Sequence, residues 1–179
     1  MDWLVPLLIV LASIAAMEGV AWASHKYIMH GFGWAWHRDH HEPHDRALEK
    51  NDLFALVGAA ASIAMFALGS RWVMGDAAWW PASWIGLGIL GYGIIYSAVH
   101  DGLVHQRYGR WVPRGTYARR LVQAHRLHHA TVGRHGGVSF GFLIAGDPAR
   151  LKAQLRRQRE AGLADLRASR AASGERAGA

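Results

Sequence analysis

Two short runs, HRDHH at 37–41 and HRLHH at 125–129, each place three imidazoles within five residues. Two wider pairs, HKYIMH at 25–30 and HDGLVH at 100–105, precede them, so the order along the chain is pair, triplet, pair, triplet. Ten of the 12 histidines belong to this series: His25, His30, His37, His40, His41, His100, His105, His125, His128 and His129. A lone histidine at a helix end is ordinarily a packing or interface residue, and a contiguous tract is a loose metal trap. Ten with repeated spacings across a hundred residues point to metal binding. With no cysteine in the chain, disulfides, iron–sulfur clusters, zinc knuckles and thiolate-ligated haem are excluded, and any metal must be held by nitrogen or oxygen.

Spacing narrows the chemistry. At ~100° per residue, positions i, i+3 and i+4 share a helix face, so each triplet can direct three imidazoles at a common centre. The members of each pair are turned ~140° apart and rise ~7.5 Å if the α-helix continues. Such a pair serves two neighbouring ions, or one ion if the helix breaks. The alternation reads as a duplicated half-site for two metals. Imidazole suits iron, zinc, copper and nickel, whereas calcium and magnesium prefer oxygen. The carboxylate-bridged pattern of soluble four-helix metal bundles is absent. His44 and His135 lie outside the series on polar stretches and are read as solvated or supporting groups.

The elements that must position these residues are apolar. The chain is 51% hydrophobic and 18% charged, with 9 tryptophans, a membrane profile. Residues 3–22, 53–74 and 79–99 are each about the ~20 residues a helix needs to cross the hydrocarbon core. The first lacks a basic leader and a persuasive cleavage site, so it is expected to be retained. A shorter apolar run at 138–146 is too short to span and is expected to be re-entrant, interfacial or packed against the bundle, or to form part of a fourth segment. The fold class is therefore all-α, an integral membrane helical bundle of three clear spans, with a histidine-rich cap. One domain is expected over 1–162, followed by a disordered Arg/Ala/Gly-rich tail over 163–179. The basic stretch at 149–163 reads as a helix on the membrane surface or in solvent.

All Lys and Arg residues except Arg71 follow the first or the third span. The positive-inside rule then places the amino terminus and the 75–78 turn outside, and all four histidine groups at one depth on the cytoplasmic side. From Asp101 onward, 15 basic side chains face 5 acidic ones, a net of +10. No nucleic-acid motif accompanies that charge, so membrane lipid, and no nucleic acid, is its expected partner.

Further polar residues fall near the series. Asp101 follows His100, and Asn51 and Asp52 precede the second span; they are candidates to hydrogen-bond ligand imidazoles and fix their tautomers, or to cap helices. Glu18 lies seven residues before His25, ~10.5 Å along the axis on nearly the same face. It is a candidate supporting acid or proton path, with an interhelical hydrogen bond the plainer reading. Arg38 and Arg126 follow ligand candidates and could pair with carboxylates or meet an electron donor. Trp22, Phe66, Trp84, Tyr92 and Tyr96 could line a lateral path from the bilayer, although packing explains each singly.

The histidine series, together with HKYIMHGFGWAWHRDHHEPH, NDLFALV, YGIIYSAVHDGLVHQR, QAHRLHHA and GVSFGFL, closely resembles the bacterial β-carotene hydroxylases of the membrane fatty acid hydroxylase and sterol desaturase superfamily. The resemblance covers residues 17–151. The histidines alone specify only the superfamily, which includes sterol and fatty acid enzymes; HDGLVHQR and VSFGFL point to carotenoids. The resemblance implies a multi-pass non-haem di-iron monooxygenase of the bacterial inner membrane. Its site would hold two iron ions, replaceable by zinc on purification, through the ten patterned histidines. It would insert oxygen from O2 at carbon 3 of β-ionone rings, taking β-carotene through β-cryptoxanthin to zeaxanthin, or canthaxanthin to astaxanthin, with electrons from reduced ferredoxin. A carotenoid ketolase, a sterol or fatty acid hydroxylase or desaturase, and a membrane metal-binding or transport protein are the other readings. Transport would want its ligands at the bilayer midplane; here they sit at one end.

Overall fold

The computed structural model describes residues 3–42 and 48–176, and among these every regular element is helical. Helix α1 (Leu4–Ala23) continues without interruption into a π-helical segment, Ser24–Phe32. After a kink at Gly31 come α2 (Trp34–His41), α3 (Asp52–Gly69), the short α4 (Arg71–Met74), and α5 (Pro81–Tyr96), which also passes into a π-helical segment, Ser97–Val104. Two cap helices follow, α6 (Gly115–His129) and α7 (Pro148–Arg176).

Three stretches, Leu4–Phe32, Asp52–Gly69 and Pro81–Val104, are long and apolar enough to cross a membrane, in agreement with the three spans read from the sequence. Leu4, Leu7, Leu8 and Leu11 on α1 are each more than half exposed, as are Leu56, Val57 and Ile63 on α3. Such a surface needs lipid to cover it. Trp3, Trp72, Trp79 and Trp80 collect at the end of the bundle opposite the histidines, where amphipathic rings suit the headgroup level.

Helix α5 is the middle span and packs against both α1 and α3. Lipid tails give apolar faces no reason to leave them, so spans associate through close backbone approach and hydrogen bonds. Glycines supply the approach. A Cβ at Gly86 would lie 3.0 Å from the Ser62 carbonyl oxygen, and one at Gly88 would collide with the Ser13 side chain. Buried Ser62 donates its hydroxyl to the Gly86 carbonyl at 2.8 Å.

The cap packs onto this bundle from one end. Ala124 on α6, Val138, and Leu151 and Leu155 on α7 form its buried apolar core, with Leu127 and Ala145 beside them. Asp147 caps α7 by accepting the amides of Ala149 and Arg150, next to Pro148 in the first turn, a favourable start. Leu151 and Leu155 thus dock the start of the 149–163 stretch on α6, and from Arg156 onward its side chains are exposed. The helix runs on to Arg176. Alanine, leucine and arginine are among the strongest helix formers, and here propensity carries the helix beyond its packed portion. Residues 138–146 form no helix, so the fourth apolar run is an irregular segment packed against the bundle.

Gly88→Val should push α5 from α1 and lower stability by roughly 1–3 kcal/mol, the usual cost of overpacking. A fall in the thermal midpoint of detergent-solubilised protein measures it.

Candidate metal centre

Five histidines converge at the cap: one nitrogen from each of His25, His30, His37, His41 and His128 lies within 4.8 Å of the others. Four more, His40, His105, His125 and His129, form a second such group. The first group is wholly buried, while His105 and His129 leave the second partly exposed.

Each H-x-x-H-H triplet is split between the two groups. Its first and last residues, His37 and His41 or His125 and His129, stay together; the middle one, His40 or His128, joins the other group. On a helix i+4 sits ~40° to one side of residue i and i+3 ~60° to the other. One helix can therefore face two centres. The expectation that each triplet shares one centre is corrected on this point.

The wide pairs are explained by the π-helical segments. Their i→i+5 bonding brings residues five apart onto one face, and the His105 amide donates to the His100 carbonyl at 2.9 Å. His25 and His30 thereby enter the same group. Their ring centroids stand 5.2 Å apart. His100 is buried, with its ring 4.6 Å from His105, 4.8 Å from His125 and 4.9 Å from His40. It borders the second group, yet its nitrogen is not one of the four that converge.

Hydrogen bonds determine which nitrogen faces inward. The Nδ1–H groups of His25, His30, His41 and His128 donate to the carbonyl oxygens of Phe140 (2.9 Å), Arg134 (2.9 Å), Thr131 (3.1 Å) and Val138 (3.0 Å). His37 donates to Asn51 Oδ1 at 2.7 Å, His40 to Glu49 Oε2 at 2.7 Å, and His100 to Asp101 Oδ1 at 2.8 Å. These oxygens only accept, so the proton resides on Nδ1 and the lone pair on Nε2. Burial lowers the pKa values of His37 to about 3 and His41 to about 4, and neighbouring imidazoles add to the effect in both. His40, His125, His128 and His129 are lowered too, by burial first and then by adjacent histidines. At neutral pH these rings are uncharged.

It follows that His30 Nε2 and His128 Nε2, 3.1 Å apart, face each other with lone pairs, as do His41 Nε2 and His37 Nε2 at 3.2 Å. Neither contact can be a hydrogen bond between neutral rings whose protons are on Nδ1. Buried His25 Nε2 and His40 Nε2 have no hydrogen-bond partner. A cation resolves all of this. Two nitrogens bound ~2.1 Å from one ion at right angles stand about 3.0 Å apart, the separation seen here. The residues therefore fit two metal ions, and imidazole-only donors select a transition metal.

The supporting residues divide unevenly. Asn51 and Asp101 contact His37 and His100. Asp52 instead accepts the Glu49 amide at 3.0 Å and pairs with Arg107 at 2.8 and 2.9 Å. Glu18 reaches no histidine; it binds Tyr92 and three loop amides. Glu49 and the four carbonyl acceptors escape sequence reasoning, since a backbone acceptor has no residue signature. Arg38 pairs with Glu42 at 3.5 Å on the surface, and His135 is exposed. His44 lies outside the described residues. Tyr96 stacks on His100 at 4.7 Å and 16°, whereas Trp84 packs on Trp3 at the opposite end of the bundle.

A cleft of about 1070 Å³ opens beside the second group, where His40, His105, His125 and His129 meet Ala55, Leu56 and Val104 from the spans and Arg107 and Arg126 at the rim. Another hollow, about 750 Å³ along α7, contains no histidine.

Against this geometry, the family model described as "Fatty acid hydroxylase" matches residues 10–147. The chain belongs to that family. This hydroxylase is 54% identical to the β-carotene hydroxylase of Pseudescherichia vulneris over 86% of its own length and 84% of the relative's. It is 51% identical to that of Pantoea ananas (87% and 86% covered) and 52% to that of Paracoccus sp. strain N81106 (83% and 90% covered). No solved structure gives a significant match.

The histidine pKa values predict acid lability of the metal-free hydroxylase. Folded pKa values lie below the unfolded value of about 6.5, so the unfolded chain binds more protons as pH falls. Stability is full above pH 6.5 and declines from there toward the folded values of about 4 for His41 and about 3 for His37. Thermal unfolding of chelator-treated protein should shift to markedly lower temperature between pH 7.5 and pH 5. An unchanged midpoint would contradict neutral buried rings.

Proposed function

We propose that this family member is a carotenoid hydroxylase that adds a hydroxyl at carbon 3 of β-ionone rings, converting β-carotene through β-cryptoxanthin to zeaxanthin. One observation carries the reading: two convergent groups of imidazoles, the first wholly buried with its lone pairs inward, in a chain half identical over most of its length to bacterial β-carotene hydroxylases.

The nine convergent histidines would hold two irons, with His100, whose ring borders three of the second group, as the remaining ligand candidate. Iron supplies activation of O2, with which an unactivated C–H bond can be attacked; no side chain can do so. The protein's part is to position. Nδ1 contacts to carbonyls and to Asn51 hold the first group's rings, and the carboxylates of Glu49 and Asp101 fix the ring orientation of His40 and His100. The partly exposed second group, opening on the cleft beside Ala55, Leu56 and Val104, is where a ring arriving from the bilayer would meet the centre.

The charge pattern supports an inner-membrane protein with the centre on the cytoplasmic side. An acidic donor such as reduced ferredoxin would dock on the basic cap through interactions that weaken with salt. Residues 1–162 would make up the catalytic domain, since Leu151 and Leu155 complete the cap core.

Expression in cells that accumulate β-carotene, followed by chromatography of the pigments, tests the proposal. β-Cryptoxanthin and zeaxanthin should appear with the wild-type chain and be lost with His128→Ala at equal membrane abundance. A ketone without hydroxyl, no new polar carotenoid, or an active His128→Ala would each contradict it.

A further inference from the structure

The irregular segment 138–146 packs beside α1 with no helix or strand to satisfy its amides, and irregular backbone at membrane depth persists only where the protein supplies partners. Glu18, buried at 7% exposure within the first span, supplies them. Its Oε1 accepts the amides of Phe142, Leu143 and Ile144, each at 2.9 Å, and its Oε2 accepts the Tyr92 hydroxyl at 2.8 Å. Gly141 completes the cradle. A Cβ there would collide with the Ile144 carbonyl oxygen and approach Glu18 Oε1 to 3.2 Å.

The same segment returns to the histidines. Phe140 and Val138 present the carbonyls that accept from His25 and His128, and the Phe142 ring stacks on His25 at 4.9 Å and 17°. Both are members of the five-histidine group, and their Nε2 atoms aim where those carbonyls hold their Nδ1–H.

We propose that Glu18 is a positioning residue for the five-histidine group: by clamping amides 142–144 it fixes the Val138 and Phe140 carbonyls and, through them, the lone-pair directions of His25 and His128. The inference rests on the reading that this group binds a metal ion. Glu18 is itself no ligand, because both oxygens are taken up by four donors. Its carboxylate is suited to the task in a way an amide is not. Glutamine offers the three amides a neutral oxygen, a weaker acceptor than a carboxylate, and turns the Tyr92 hydroxyl from donor to acceptor.

The test uses full-length protein in detergent, stripped of metal and reloaded with Co²⁺, whose visible spectrum reports ligand geometry. Loaded wild type should take up two ions per chain. Glu18→Gln and, independently, Gly141→Ala should change that spectrum and speed cobalt release to excess chelator about tenfold, the lower end of what loss of a ligand's supporting contact costs. Ser62→Ala removes a buried hydrogen bond between spans far from the cap and serves as the comparison; it should leave spectrum and release unchanged. If Glu18 only glued helices together, Ser62→Ala would act like Glu18→Gln, and that result overturns the proposal. Wild-type spectrum and release in both folded test variants overturn it as well. A wild-type chain that takes up no cobalt overturns the metal reading itself, and this is seen before any variant is measured.

Discussion

The structure depends on a conflict between lone pairs. Seven histidines commit Nδ1–H to oxygens that can only accept, which turns Nε2 inward. In the five-histidine group this brings uncharged acceptors to within 3.1 and 3.2 Å of each other. Burying polar atoms without partners costs free energy, so the apolar bundle, the cap and the loop carbonyls together maintain an arrangement that a bound cation would make favourable. Metal binding by these groups would in this sense be one equilibrium with cap stability.

Two departures from regular helix make the convergence possible. The π-helical segments at Ser24–Phe32 and Ser97–Val104 bring residues five apart onto one face, at the ends of the first and third spans that meet the cap. The split triplets then weave the two groups together, so α2 and α6 each contribute to both. Neither group can form from one half of the chain alone. The two groups differ in their support: carbonyls and an amide around the buried one, carboxylates at His40 and His100 beside the one that opens on a cleft.

Much of this was legible in the sequence, because its physics is local. Three apolar runs of membrane length gave three spans, and the histidine series contains the nine residues that converge in two groups. The exchange of His40 and His128 was not legible, since i+3 and i+4 both count as the near face of a helix until the positions of two centres are known. Nor were the Phe140 and Val138 carbonyls, whose acceptors belong to any residue type. The 138–146 run was ambiguous for a different reason: its apolar composition suits a span, but its amides are satisfied by Glu18, 120 or more residues away.

The most direct measurement is anomalous scattering from crystals grown with Co²⁺. Two peaks are predicted, one surrounded by His25, His30, His37, His41 and His128, the other by His40, His105, His125 and His129. A single peak, or peaks that leave His40 with His37 and His41 on one ion, would contradict the account.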